Sequence, residues 1–112
     1  MQYMALIYTD PAKAPEMGEK MNGEYFELTK RMREAGVMRA GDALHPVSSA
    51  TSVRVRGGKV ETMDGPFAET KEHLGGYYLI DCADLDEAIK WAAQIPGAQF
   101  GTVELRPVVV FR

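Results

Sequence analysis

Gly75-Gly76-Tyr77-Tyr78-Leu79-Ile80-Asp81-Cys82 is the stretch on which the fold turns. Side chains alternate across a strand, so Tyr78 and Ile80 lie on one face and Tyr77 and Leu79 on the other. Both faces are apolar, which marks a central strand covered on two sides. Gln2 to Tyr8 repeats the pattern, with Tyr3, Ala5 and Ile7 opposite Met4, Leu6 and Tyr8, and Thr9-Asp10-Pro11 closes it as a turn.

Between these two strands the periodicity changes. From about Pro15 to Ala35, Met17, Met21, Tyr25, Leu28 and Met32 recur at helical spacing, and Gly36 after Lys30, Arg31 and Arg33 reads as a left-handed helix stop. Val37 to Ala43 is a further strand, and Leu44 to Ser49 is a loop by its proline and serines. Thr51 to Arg56 and Lys59 to Asp64 flank Gly57-Gly58, a two-residue hairpin turn. That register sets Arg54 against Glu61, Val55 against Val60 and Val53 against Thr62.

Gly65 to about Leu74 reads as a loop. Beyond Cys82, Asp84 caps a helix with Glu87 three residues on, a variant of the capping box. Leu85, Ala88, Ile89, Ala92 and Ile95 form its expected buried stripe, and Pro96-Gly97 ends it. A last strand spans about Thr102 to Val110, with Pro107 implying an edge or a bulge.

The order is a βαββαβ plan with an inserted β-hairpin, the signature of a ferredoxin-like α+β sandwich. Two helices so connected cover one face of the sheet, yet its central strands are apolar on both. A second copy of the same sheet is the natural cover in a chain of 112 residues, so a homodimer is expected.

Composition narrows the function. The length and the 46% apolar and 26% charged content suit one soluble domain over residues 1–112. No apolar run reaches the ~20 residues of a membrane span, and Met1 to Asp10 lacks the features of a leader, so a cytoplasmic protein is expected. A net charge of −3 with interspersed signs argues against direct binding of nucleic acid. One cysteine, Cys82, and two histidines exclude an internal disulfide and a closed zinc site, so neither a metal nor another cofactor is expected. Phosphate-loop, serine-elbow and zinc-helix motifs are absent.

Candidate chemistry falls on a few side chains. Asp64 shares a hairpin face with Val60 and Thr62, which turns its carboxylate toward an apolar layer where it needs a partner; the alternative is a turn role with Gly65 and Pro66. His45, held before Pro46, is the better placed of the two residues able to shuttle protons near neutrality; His73 reads as a solvated loop residue. Asp64 and His45 are therefore the candidate catalytic base, with Phe67, Tyr78 and Arg39 as candidate ligand contacts. A tyrosine hydroxyl would hold a developing oxyanion, and the Arg39 guanidinium would clamp a carboxylate. Arg54 and Arg106 are better explained as structural, and Cys82 beside Asp81 as inert.

Asp64-Gly65-Pro66-Phe67-Ala68-Glu69-Thr70-Lys71-Glu72, followed by Leu74-Gly75-Gly76-Tyr77-Tyr78-Leu79-Ile80-Asp81, closely resembles the signature of the DGPF branch of the YCII-related family. The resemblance continues through Met4 to Tyr8, Gly41 to Leu44, Thr51 to Arg56, Asp84 to Ala88 and Val103 to Val108. It implies a dimeric α+β barrel, a fold shared with small isomerases and monooxygenases of aromatic or lactone-like metabolites, without fixing a reaction. The YciI branch is described with a histidine and an aspartate on the first helix as acid and base. Tyr25 and Arg33 stand at about those positions here, so that pair is not carried over.

Two functions follow as expectations. The first is a homodimer binding a small organic metabolite between sheet and helices, with cofactor-free, isomerase-like acid–base chemistry. The alternative is a non-catalytic accessory protein that docks to a transcription protein, as the association of some relatives with sigma factors implies.

Overall fold

The computed structural model describes residues 1–13 and 19–111; Pro15 and Met17, at the start of the expected first helix, lie outside the described residues. In chain order the elements are β1 (Gln2–Thr9), α1 (Glu19–Glu34), β2 (Met38–Ala43), β3 (Thr51–Arg56), β4 (Lys59–Asp64), β5 (His73–Asp81), α2 (Leu85–Ala92) and β6 (Gly101–Pro107). Short 3-10 turns occupy Val47–Ser49 and Pro96–Gln99.

β2-β5-β1-β6 form an antiparallel sheet, and β3 and β4 form a separate two-stranded ribbon. This mixed α+β arrangement is consistent with the ferredoxin-like plan. The two strands with apolar faces, β1 and β5, occupy its centre.

One face carries the core. Tyr3, Ala5 and Ile7 of β1 and Tyr78 and Ile80 of β5 pack with Leu28 and Met32 of α1, Ala88 of α2 and Ile95 beyond it. α1 ends in a hydrogen-bonded cap: Gly36 at φ 73 lets its own N–H reach the Arg33 carbonyl and the Val37 N–H reach that of Met32, both at 3.0 Å. At α2, Asp84 Oδ1 accepts from the Glu87 N–H and Glu87 Oε2 accepts from the Ala83 N–H, each at 2.9 Å.

The opposite face of the sheet presents Met4 paired with Leu79 and Leu6 paired with Tyr77, all half-buried. Asp42 opposite Tyr77 borders this strip on the β2 side, and Glu104 and Arg106 border it on the β6 side.

The hairpin has the expected register, and Arg54 Nε stands 3.6 Å from Glu61 Oε2 across it. Gly57 and Gly58, at φ 58 and 76, make the turn.

Several expectations are corrected. Leu85 and Ile89 of α2 are exposed, while Ala88, Ala92 and Ile95 are buried and Trp91 packs beside the core; the helix meets the sheet through its small residues and turns the indole inward. β5 starts at His73, because an irregularity between Ile7 and Tyr8 shifts the register and keeps pairing alive to Thr9 and His73. His73 is thus a half-buried strand residue rather than a loop residue. β6 stops at the proline, and Val109, Val110 and Phe111 run on exposed.

Candidate functional site

α1 turns Tyr25, Leu28, Thr29 and Met32 toward the sheet, and Tyr25 and Thr29 stand one turn apart on that face. Leu28 and Met32 are fully buried and make the packing, while the two hydroxyls meet polar partners. Tyr78 on the helix-covered face of β5 lies with its Oη 3.0 Å from Thr29 Oγ1, and either hydroxyl can donate. The Gly97 N–H, in the 3-10 turn after α2, donates to Tyr25 Oη at 3.0 Å. Gly97 permits this approach because it lacks a side chain: a Cβ there would stand 2.9 Å from both Tyr25 Oη and Ile7 Cγ2.

Burial pushes the Tyr25 phenol above its ordinary range; the Gly97 N–H opposes that shift and the nearby Tyr78 adds to it. Tyr25 is therefore neutral at physiological pH. Its oxygen accepts from Gly97, and its own proton goes to none of the described residues. The Thr29–Tyr78 bond uses one of that pair's two hydroxyl protons. The cluster is a set of hydroxyl groups at the edge of the core, chemistry suited to holding a carbonyl or oxyanion oxygen.

Of the residues singled out in the sequence, Tyr78 belongs to this cluster and the others lie elsewhere. Asp64 ends β4 opposite Thr51 and is exposed; it shares the ribbon face of Val60 and Thr62, but among the described residues no apolar layer covers that face. Among the described residues its carboxylate has no hydrogen-bond partner, and other groups tie the turn that follows. Gly65 N–H donates to the Ala50 carbonyl at 2.7 Å, and Ser52 Oγ donates to the Gly65 carbonyl at 2.8 Å. Phe67 is 86% exposed and lines an open groove of ≈ 410 Å³ on the ribbon with Ser52, Val53, Arg54 and Met63. His45 stands exposed in the loop after β2.

Arg39 donates to the carbonyls of Gly36 (2.9 Å) and Met38 (3.3 Å) and pairs with Asp81 at 3.4 Å. Asp81 also receives the Met1 amino group at 3.0 Å, and the two cations, the amino group foremost, hold its carboxyl below the usual range. Arg39 is thereby fixed in a surface ion cluster.

Tyr25 and Thr29 were not singled out as a site. The readable signal was two hydroxyl side chains four residues apart in an otherwise aliphatic stripe. On the other sheet face, Tyr77 Oη donates to Asp42 Oδ2 at 2.9 Å. Burial, with Glu87 and Asp81 nearby, pushes the Cys82 thiol up. Among the described residues no group of three His, Cys, Asp or Glu side chains is placed to hold a metal, and no helix is long and apolar enough to cross a membrane.

The family model described as the YCII-related domain matches residues 1–112. The chain is also 37% identical over 118 residues to an uncharacterized protein, R00369, of Rhizobium meliloti (strain 1021), an alignment covering 100% of this chain and 95% of that protein.

Proposed function

The chain belongs to the YCII-related family, and from that premise we propose that it is a single-domain cytoplasmic homodimer of the DGPF branch that binds a small organic molecule bearing a carbonyl or carboxylate oxygen. The observation that carries the binding reading is the Tyr25 hydroxyl. It accepts from Gly97, stays protonated and stands beside the Thr29–Tyr78 pair, so it offers a donor to a ligand oxygen arriving at the edge of the α1–sheet layer.

The homodimer reading is supported by the half-buried strip of Met4, Leu6, Tyr77 and Leu79, which would face its own copy in a dimeric α+β barrel. The borders of that strip carry the Arg106–Glu104 pair on one side and Asp42 on the other, the polar rim around an apolar centre that an interface has. The run Asp64-Gly65-Pro66-Phe67 supports the DGPF branch. Isomerase-like, cofactor-free turnover is the extension of this reading, with Asp64 or His45 as base; it requires assembly to bring one of them to the bound ligand.

The test is a thermal-shift screen of aromatic carboxylic acids against the wild type and Tyr25→Phe, beside sedimentation of the wild type. A dimer, with a ligand that raises the wild-type melting temperature and loses its effect on Tyr25→Phe, is the expected result. A ligand that shifts both proteins equally removes Tyr25 from the site, and turnover unchanged in a folded Asp64→Asn, His45→Gln double variant removes both bases.

One observation favours a second reading. Val53, Val55 and Val60 bare an apolar ribbon face of the kind an accessory protein uses to dock on a transcription protein. A monomer in sedimentation supports that reading, and a dimer that buries the ribbon removes it.

A further inference from the structure

β3 and β4 sort their residues by face. Val53, Val55, Val60 and Thr62 share one side, and Arg54, Arg56, Lys59 and Glu61 share the other. Such alternation belongs to a ribbon with one covered face. Here the three valines are 56–69% exposed, and a lone two-stranded ribbon is marginal in water. A second bare apolar element follows β6. The Val108 N–H still donates to the Gln2 carbonyl at 2.9 Å, after which Val109, Val110 and Phe111 are 68%, 70% and 90% exposed.

The sheet topology fixes where these two elements leave. β2 and β6 are the two edges. β2 runs out toward the ribbon where Ala43 pairs with Gly76, near the start of β5. β6 runs out into the tail where Pro107 pairs with Tyr3, which itself pairs with Ile80 near the end of β5. Ribbon and tail therefore depart from diagonally opposite corners of the sheet, which keeps the tail of a subunit away from its own ribbon.

A two-fold axis lying between two facing sheets, and running through the corners that carry neither element, exchanges the ribbon corner with the tail corner. The strands of the two sheets then cross steeply, as in orthogonal sheet packing. That operation brings the ribbon of one copy to the tail of the other, twice over. We infer that the tail Val109, Val110 and Phe111 of one copy covers the Val53, Val55 and Val60 face of the other copy's ribbon, forming a reciprocal clasp. This rests on the homodimer proposed above and deepens it. The occupant is a second copy because both halves of the contact are present on the one chain, the three valines and the three tail residues are all β-branched or aromatic, Asp64 stands only at the far end of the ribbon face from the turn, and neither half can cover the other within a subunit.

Cysteine pairs and a tail deletion test the clasp. Cysteines replace Val53, Val55 or Val60 on the ribbon together with Val109 or Val110 on the tail, for example Val55→Cys with Val110→Cys; native Cys82 is buried and does not compete. Under mild oxidation at least one double variant should give a covalent dimer that neither parent single variant gives. Ending the chain after Val108 should raise the dimer dissociation constant roughly tenfold or more, since it removes three apolar side chains from the contact, with the circular dichroism of the subunit unchanged. A wild-type dimer whose dissociation constant is unaffected by the deletion, and whose double variants form no inter-chain disulfide, overturns the clasp and leaves the homodimer standing. A wild-type monomer at micromolar concentration overturns both, and an intra-chain disulfide overturns the clasp alone.

Discussion

Tyr78 Oη and Thr29 Oγ1 lie 3.0 Å apart, where the helix-covered face of β5 meets α1. Tyr78 is 6% exposed, so water is a poor substitute partner for its hydroxyl. Thr29→Val keeps the shape of the side chain and leaves that hydroxyl unpaired, at a cost of about 1–3 kcal/mol. Tyr78→Phe in addition removes the unmet group, so the double variant should lose less stability than the two single losses summed. Urea denaturation of the four proteins measures the cycle. Strict additivity would mean that the two hydroxyls do not interact in solution.

The Tyr25 phenol gives the protein an alkaline weakness. Its pKa is raised in the folded state, chiefly by burial, so the folded chain holds this proton more tightly than the unfolded chain does. The stability it contributes is complete below the unfolded tyrosine value of about 10 and is lost as pH rises through the folded value. Cys82 acts in the same direction through its own burial, and Tyr77, raised by its bond to Asp42, does so on the other face. Only the difference between wild type and Tyr25→Phe isolates Tyr25. The variant should be less stable at pH 8, where Gly97 has lost its acceptor, and should show a shallower loss between pH 9 and 11. Parallel stability curves across that window would contradict the assignment.

The sequence made the centre of the sheet legible because apolar residues on both faces of Tyr77 to Ile80 mark an inner strand, and β5 does lie between β2 and β1. The Arg54–Glu61 register was equally readable, since the two-residue turn at Gly57 and Gly58 sets the pairing geometrically. Asp64 shows where such reading ends. Its face follows from the register, but periodicity says only that a face is apolar, and among the described residues nothing covers this one. The sequence offers Arg39 as a clamp for a ligand carboxylate, and nothing local announces that the Gly36 and Met38 carbonyls and Asp81 engage it. Tyr25 meets Gly97 across 72 residues of chain, a contact that only the packed layers create.

The same substitution at two glycines should have opposite effects. At Gly23, within α1, an added methyl meets nothing within 4 Å, and alanine loses less backbone freedom on folding than glycine, so Gly23→Ala should stabilise by about 0.5–1 kcal/mol. At Gly97 the methyl would press on Tyr25 Oη and Ile7 Cγ2 at 2.9 Å and on Thr9 Cγ2 at 3.4 Å. Ile7 is buried in the core and Tyr25 is bonded to this very residue, so neither can move aside without loss. Gly97→Ala should therefore cost about 1–3 kcal/mol. It should also shift the Tyr25 ring signals, because the hydroxyl has to leave the Gly97 N–H to admit the methyl. Denaturation midpoints give the sign of each effect and ring-proton spectra report on Tyr25. A neutral Gly97→Ala with unmoved Tyr25 signals would mean that the turn after α2 does not hold the hydroxyl cluster in place.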